Sequence, residues 1–254
     1  MNTPIETRFL RNKDLIPIKK LTSVGLVGLG GIGSFVVQSL GIMGYQHIKG
    51  WDADTVAPHN LSSTAYPIKQ VGLLKSDAAK ALHSDYTEDW QVFETEGLFT
   101  AESKVMNNMI LATDDMESRR MVYDKWKQLG KGFLIDARMG ASTVELVTIT
   151  PGNDNYMETW APTSSIKSAP CSMKHTVYAT QHIASLVVSQ IQNLVAGSAY
   201  YQYIWSSLSP NMVNYGTLIR PTIQGVVHGN RSKQSIDRLE ENANGSYLSI
   251  NRSA

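Results

Sequence analysis

A single cysteine in 254 residues excludes an internal disulfide framework and any zinc site built on several thiolates. It also leaves one thiol, Cys171, to be explained. The chain lacks any run of about 18 or more apolar residues, so no membrane-spanning segment is expected. It lacks a dominant charge as well. With 23 Lys+Arg against 22 Asp+Glu the net charge is +1, which argues against a dedicated nucleic-acid surface. Residues 1–13 mix acids and bases without an apolar centre, so no secretory leader is expected there. There is no internal repeat and no long low-complexity tract. What is present is 42% hydrophobic residues in a chain long enough for one large domain or two small ones. These features point to a soluble, cytoplasmic protein with no membrane or nucleic-acid partner.

The first element is Val24-Gly25-Leu26-Val27-Gly28, a short apolar run ending in glycine that reads as a buried strand. Residues 32–43 follow with apolar side chains at helical spacing (Ile32, Phe35, Val36, Leu40, Met43). The same alternation continues with strands predicted over 47–51, 109–112 and 132–135 and helices over 73–83 and 116–129. It implies an α/β fold, a Rossmann-like doubly wound sheet that is mostly parallel. Residues 142–150 are β-branched in partial alternation and predict a longer, antiparallel strand in the C-terminal half. Residues 152–168 read as a polar loop, 175–196 as a strong helix, and the segment beyond Pro210 as turn-rich and then polar. The expected organisation is an N-terminal arm (1–22), one main domain (23–212) and a partly flexible C-terminal extension (213–254).

The sequence Gly28-Leu29-Gly30-Gly31-Ile32-Gly33 joins the first strand to the first helix. Glycines there permit a tight turn, close approach of backbone to a phosphate, and packing of helix on strand. The N–H groups of the helix start favour an anion. Asp52 follows 19 residues after Gly33, at the expected end of the second strand, where a carboxylate can accept ribose hydroxyls. Nucleotide binding follows from this order, but a nicotinamide dehydrogenase would open in the same way.

The continuation separates the two. Asp52-Ala53-Asp54-Thr55-Val56 leads into Asn60-Leu61. Val71-Gly72-Leu73-Leu74-Lys75 comes next, and then Thr113-Asp114-Asp115-Met116-Glu117-Ser118-Arg119. In order and spacing this set resembles the ThiF/MoeB/HesA family of ubiquitin-activating-type adenylating enzymes, over about residues 8–195. The resemblance implies binding of ATP and Mg2+, with Gly28, Gly30, Gly31, Gly33, Asp52, Asp54, Asn60, Lys75 and Arg119 holding the nucleotide. Asp114 would position the metal and Lys75 would meet the phosphates. Adenylation brings a carboxylate onto the α-phosphorus while pyrophosphate leaves, so cations at the site have a clear purpose. Other readings stay open for each residue alone: Lys75 as a solvated helix residue, Asp114 and Asp115 as helix caps, and Arg119 as the partner of an acid on its own helix.

The pattern also departs from the family. Ser63 stands where the family has an arginine three residues after the asparagine. Arg8-Phe9-Leu10-Arg11 resembles the family's opening, whose second arginine serves the partner subunit, so Arg11 becomes a trans-acting group and a homodimer is expected. Arg138, after the strand at 132–135, would help bind the incoming carboxylate or leaving pyrophosphate, or would pair with Asp136. The family's paired C-x-x-C zinc ligands are absent, and no zinc is implied. Ala169-Pro170-Cys171-Ser172 resembles the segment whose cysteine accepts the acyl group as a thioester, with a small buried cysteine as the alternative. The surroundings also resemble compact family members of phages and mobile elements. The expected partner is the C-terminal glycine of a ubiquitin-like or sulfur-carrier protein. A peptide or nucleoside carboxylate, or a nucleotide-binding scaffold without catalysis, are the alternatives.

Overall fold

In the computed structural model, short apolar runs pair side by side and the amphipathic segments between them cross over the sheet. The structure describes residues 5–12, 14–15, 23–87, 91–165 and 176–220. After a short helical turn α1 (Ile5–Arg8), strand β1 (Ser23–Val27) feeds helix α2 (Gly31–Met43) and strand β2 (His47–Trp51). Helix α3 (Lys75–Ser84), β3 (Val92–Glu96), β4 (Asn108–Leu111), α4 (Met116–Lys127) and β5 (Phe133–Gly140) complete the parallel half. The second half contains β6 (Thr143–Ile149), the turn α5 (Tyr156–Thr159), and the long α6 (Val177–Ala196). Strands β7 (Tyr200–Tyr201), β8 (Tyr203–Leu208), β9 (Asn211–Tyr215) and β10 (Leu218–Ile219) follow.

Eight strands form one sheet in the order β3-β2-β1-β4-β5-β6-β8-β9. The pairs from β3 to β5 are parallel and those from β5 to β9 antiparallel. Strand β1 therefore has β2 on one side and β4 on the other, which makes their C-terminal ends the switch point where open α/β sheets bind ligands. Helices α2, α3 and α6 cover one face of the sheet, with Val36, Leu40, Ile183, Val187 and Ile191 in a shared apolar cluster. Helix α4 and the turn α5 cover the other, where Val122, Tyr123, Trp126 and Tyr156 pack on Met109, Leu111 and Leu134.

The fold agrees with the α/β expectation and differs from it in particular places. The helix expected from residue 73 begins at Lys75. Backbone of Val71–Leu74 bonds instead to the Asp-x-Asp segment, with Val56 N–H donating to Leu73 O (2.8 Å) and Gly72 N–H to Val56 O (2.9 Å). The strand expected over 132–135 runs on to Gly140, because Asp136 and Arg138 satisfy one another within it. The expected polar loop carries α5 and a 3-10 turn at Thr163–Ser165. Strand β9, paired with β8 in a hairpin, lies in the segment expected to be turn-rich.

The N-terminal arm is fastened to its own chain. Phe9 is buried against Gly44, where a Cβ would come within 2.7 Å of the ring. The Arg8 guanidinium donates to Gly41 O (2.9 Å) and Ile42 O (3.3 Å) at the C-terminal end of α2. His83 of α3 lies near this junction, tilted against Phe93 at 5.4 Å. Burial, aided by the Arg8 charge, pushes its imidazole down to about 4 from 6.5. The unfolded chain thus takes up the proton first. Stability should be fully present above about pH 6.5 and fall as the pH is lowered towards 4. Melting curves between pH 7.5 and 4.5 should show this fall, and His83→Gln should flatten it.

Candidate active site

Gly28 ends β1 with φ +94°, and a Cβ there would come within 2.6 Å of the Ala112 carbonyl and the Thr113 nitrogen. Only glycine lets the turn pass between β1 and β4. Gly33 is equally constrained, since its Cβ would fall 2.0 Å from Gly28 O. These two contacts seat the start of α2 on the strand ends. Gly30 precedes the helix without a side-chain cap, so the N–H groups of the first turn lie at the mouth of a cleft that Gly30 and Gly31 line. The Tyr66 hydroxyl donates to Leu29 O and fixes the loop from behind.

Asp52 stands at the end of β2. Its carboxylate accepts Leu29 N–H (2.8 Å) and Asp54 N–H (2.9 Å), so it ties the glycine turn to the next loop. Burial raises its pKa, opposed by those two N–H groups and by the Lys75 charge. Lys75 is brought to the cleft by the local pairing described above, with its own N–H donating to Asp54 O (2.8 Å). Its ammonium bridges Asp54 at 2.7 Å and Asp52 at 3.8 Å. The site of Gly30 opens towards this ammonium, 4.0 Å from where a Cβ would be. Asn60 lines the same wall, its Oδ1 accepting Ala57 N–H (2.9 Å) to close a 3-10 turn. Ser63, in the place of the family's arginine, is buried beneath that turn.

The end of β4 separates the two neighbouring acids. Asp115 caps α4, accepting Ser118 N–H (2.7 Å) and Ser118 Oγ–H (2.6 Å), which hold its carboxyl down at about 2. Asp114 is exposed in the cleft and makes no hydrogen bond or ion pair with the described residues. It is the free carboxylate of the two.

Arg119 lines the cleft floor, but its guanidinium points into the protein. It donates to Asp136, to Ala137 O (3.1 Å) and to Thr113 O. Its partner is thus an acid of β5 rather than one on its own helix. Burial lowers its pKa to about 10, which leaves it cationic at neutral pH. Arg138 reaches the other oxygen of Asp136 (Nε, 2.9 Å), and the Tyr156 hydroxyl also donates to it (2.9 Å).

Arg11 is exposed on the arm and does not line the cleft. Cys171 lies outside the described residues, as do Lys174 and His175. Among the described residues no group of three or more His, Cys, Asp or Glu side chains gathers as a metal cluster. No helix among them is long and apolar enough to cross a membrane. The apolar wall of the cleft, Trp51 with Phe99 edge-on at 5.4 Å, had no sequence signal, because Phe99 comes from an irregular segment after β3.

These roles separate in a stability measurement. Arg119→Gln leaves Asp136 short of a buried partner and should cost about 3–5 kcal/mol, a fall in Tm of roughly 10 °C. Lys75→Ala removes a bridge at the cleft mouth and should move Tm by no more than about 3 °C.

A profile of the ThiF family matches residues 5–219. A search of curated proteins returned no match. Among solved structures, MccB of E. coli superposes with a TM-score of 0.69 at 14% identity, covering 91% of this chain and 76% of that one. MccB with ATP gives 0.66 at 16% identity, covering 85% and 73%. PaaA gives 0.65 at 17% identity, covering 85% and 74%. At these identities the likeness is one of fold. With the family's profile matched over 5–219, the chain belongs to the ThiF family.

Proposed function

We propose that this protein binds ATP and adenylates a carboxylate, the C-terminus of a peptide or small protein. The observation that carries the proposal is the uncapped start of α2, set between Lys75 and Asp52 at the switch point of the sheet, with the free carboxylate of Asp114 on the same cleft. Membership of the ThiF family supports it, and so do the MccB structures that contain ATP and the peptide MccA.

In this reading the ribose lies at Asp52 and Asp54, and the phosphates face the glycine turn and Asn60. Lys75 exchanges Asp54 for a phosphate oxygen, and Asp54, itself exposed, is returned to water. A carboxylate oxygen attacks the α-phosphorus, the bond to the β-phosphate breaks, and pyrophosphate leaves with the electron pair. No proton moves. Charge grows on the leaving oxygens, where a fixed cation has its largest effect. Asp114 fits the Mg2+ that accompanies ATP, because such ions are held by one or two carboxylates together with substrate phosphates. The ion supplies charge neutralisation there. Arg119 acts at one remove, holding Thr113 O and so the loop that presents Asp114.

The acceptor in this reading is the C-terminal glycine of a ubiquitin-like or sulfur-carrier protein, with a short peptide as the second acceptor class. The Cys171 sulfur would then attack the acyl carbon of the adenylate, the bond to AMP breaking and the thiol proton passing to water. The arm supports a homodimer. Phe9 and Arg8 sit at the far end of α2, a helix about 20 Å long, from the glycine turn. Arg11 on that arm would then serve the cleft of a second copy.

ATP–pyrophosphate exchange tests the proposal. Exchange should appear with a carrier or peptide bearing a free C-terminus and drop at least a hundredfold in Lys75→Ala and Asp114→Ala. Cys171→Ala should keep exchange and lose any acyl adduct that hydroxylamine or an added thiol can cleave. ATP binding without exchange for any carboxyl partner would instead identify a scaffold, the reading that Ser63 favours.

A further inference from the structure

Among the described residues, the basic side chains that line the cleft are His59, Lys75, Arg119 and Arg138. Two of them are committed to the protein itself. Arg119 is enclosed by Asp136, Ala137 O and Thr113 O, and Arg138 is held by Asp136 and by Thr159 O (2.7 Å). Lys75 is assigned above to the phosphates. His59 is left without a task. It is exposed, and its ring makes no hydrogen bond or ion pair with the described residues.

The backbone decides where that ring stands. His59 lies in the 3-10 turn Pro58–Asn60, whose first position is preset by the fixed φ of proline. Three i to i+3 bonds wind the chain from Ala57 to Ser63. Asn60 N–H donates to Ala57 O (2.9 Å), Leu61 N–H to Pro58 O (3.3 Å), and Ser63 N–H to Asn60 O (3.0 Å). Side chains three apart eclipse one another in such winding. Asn60 and Ser63 therefore make one row, and His59 and Ser62 make another.

The two rows do different work. The first holds the turn in place: Asn60 Oδ1 accepts Ala57 N–H, and the Ser63 hydroxyl donates back to Asn60 O (3.5 Å). Ser63 is 6% exposed, and its carbonyl lies 3.2 Å from where a Cβ on Gly31 would be. The turn thus abuts the first residue of α2. The second row is exposed, and both of its members line the cleft. Its one internal bond, from Ser62 Oγ to His59 O, is long at 3.3 Å and lies at the surface, where water or a ligand can replace it.

We propose that His59 and Ser62 bind the β- and γ-phosphates of the nucleotide, the pair that leaves as pyrophosphate. The proposal rests on the adenylation reading above. With the ribose at Asp52 and the α-phosphate at the start of α2, the outer phosphates meet the turn that abuts Gly31. The imidazole offers at least one N–H whether neutral or protonated, and the Ser62 hydroxyl adds a second donor. Hydrogen bonds to an ionised phosphate are about twice as strong as neutral ones. They strengthen further as charge gathers on the departing oxygens. Lys75 comes from α3 and His59 from a separate turn, so the leaving group is held from two elements.

Isothermal titration of the full chain with ATP and with AMP, Mg2+ present in both, tests this. His59→Ala should bind ATP at least fivefold more weakly than wild type and AMP within twofold. Its Tm should stay within about 2 °C of wild type, because an exposed side chain without a partner is removed. His59→Arg should recover ATP affinity to within threefold of wild type, since a guanidinium also donates to phosphate. Ser62→Ala should weaken ATP at least twofold and leave AMP unchanged. A loss of ATP affinity below fivefold in His59→Ala overturns the proposal. So does an equal loss of ATP and AMP, or a loss that His59→Arg does not restore. If wild type binds ATP no more tightly than AMP, the adenylation reading fails first and this row with it.

Discussion

A carboxylate with no exposure to water sits at the centre of this fold. Asp136 is buried completely and is tolerated because Arg119, Arg138 and the Tyr156 hydroxyl converge on it. Each partner arrives from a different element: α4, β5 itself and the turn α5. Taking such charges out of water costs several kcal/mol per ion, and removing one partner strands the rest. The cluster therefore holds α4 and α5 in one arrangement against the sheet. Through Thr113 O it also fixes the loop after β4 that carries Asp114.

This arrangement divides the cations of the cleft by position. Lys75 stands at the mouth on exchangeable carboxylates, Arg119 is enclosed, and Arg138 lies between them with one long bond to Glu145. A single chain of backbone contacts explains the first. Val56, Leu73 and Gly72 pair, α3 starts two residues later than periodicity suggests, and Lys75 arrives beside Asp54. Fold and site are therefore not separable here. The deviation from ideal helix spacing is what delivers the lysine.

Much of the parallel half was legible in the sequence because its signals are local: apolar runs, helical spacing, and the glycine turn in which Gly33 packs against Gly28 O. The motif order also pointed to Asp52, Asp54, Lys75 and Asp114, all of which line one cleft. What was not legible depends on distant partners. The partner of Arg119 is 17 residues away on another element, and nothing in helix periodicity favours Asp136 over an acid on α4. Strand β3 was missed because it buries only Phe93 on an outer edge, and β9 because every residue in it is exposed. The row of His59 and Ser62 faces the cleft only because its 3-10 turn docks against Gly31, a contact between distant segments.

The division of labour among these cations can be read from the affinity difference between ATP and AMP, measured by isothermal titration in wild type and Lys75→Ala with Mg2+ present. If Lys75 and the start of α2 hold the phosphates, wild type should bind ATP at least tenfold more tightly than AMP. Lys75→Ala should abolish most of that difference while leaving AMP affinity within about threefold. Equal affinity for ATP and AMP in wild type, or an equal loss of both in the variant, would contradict the assignment of this cleft to a nucleoside triphosphate.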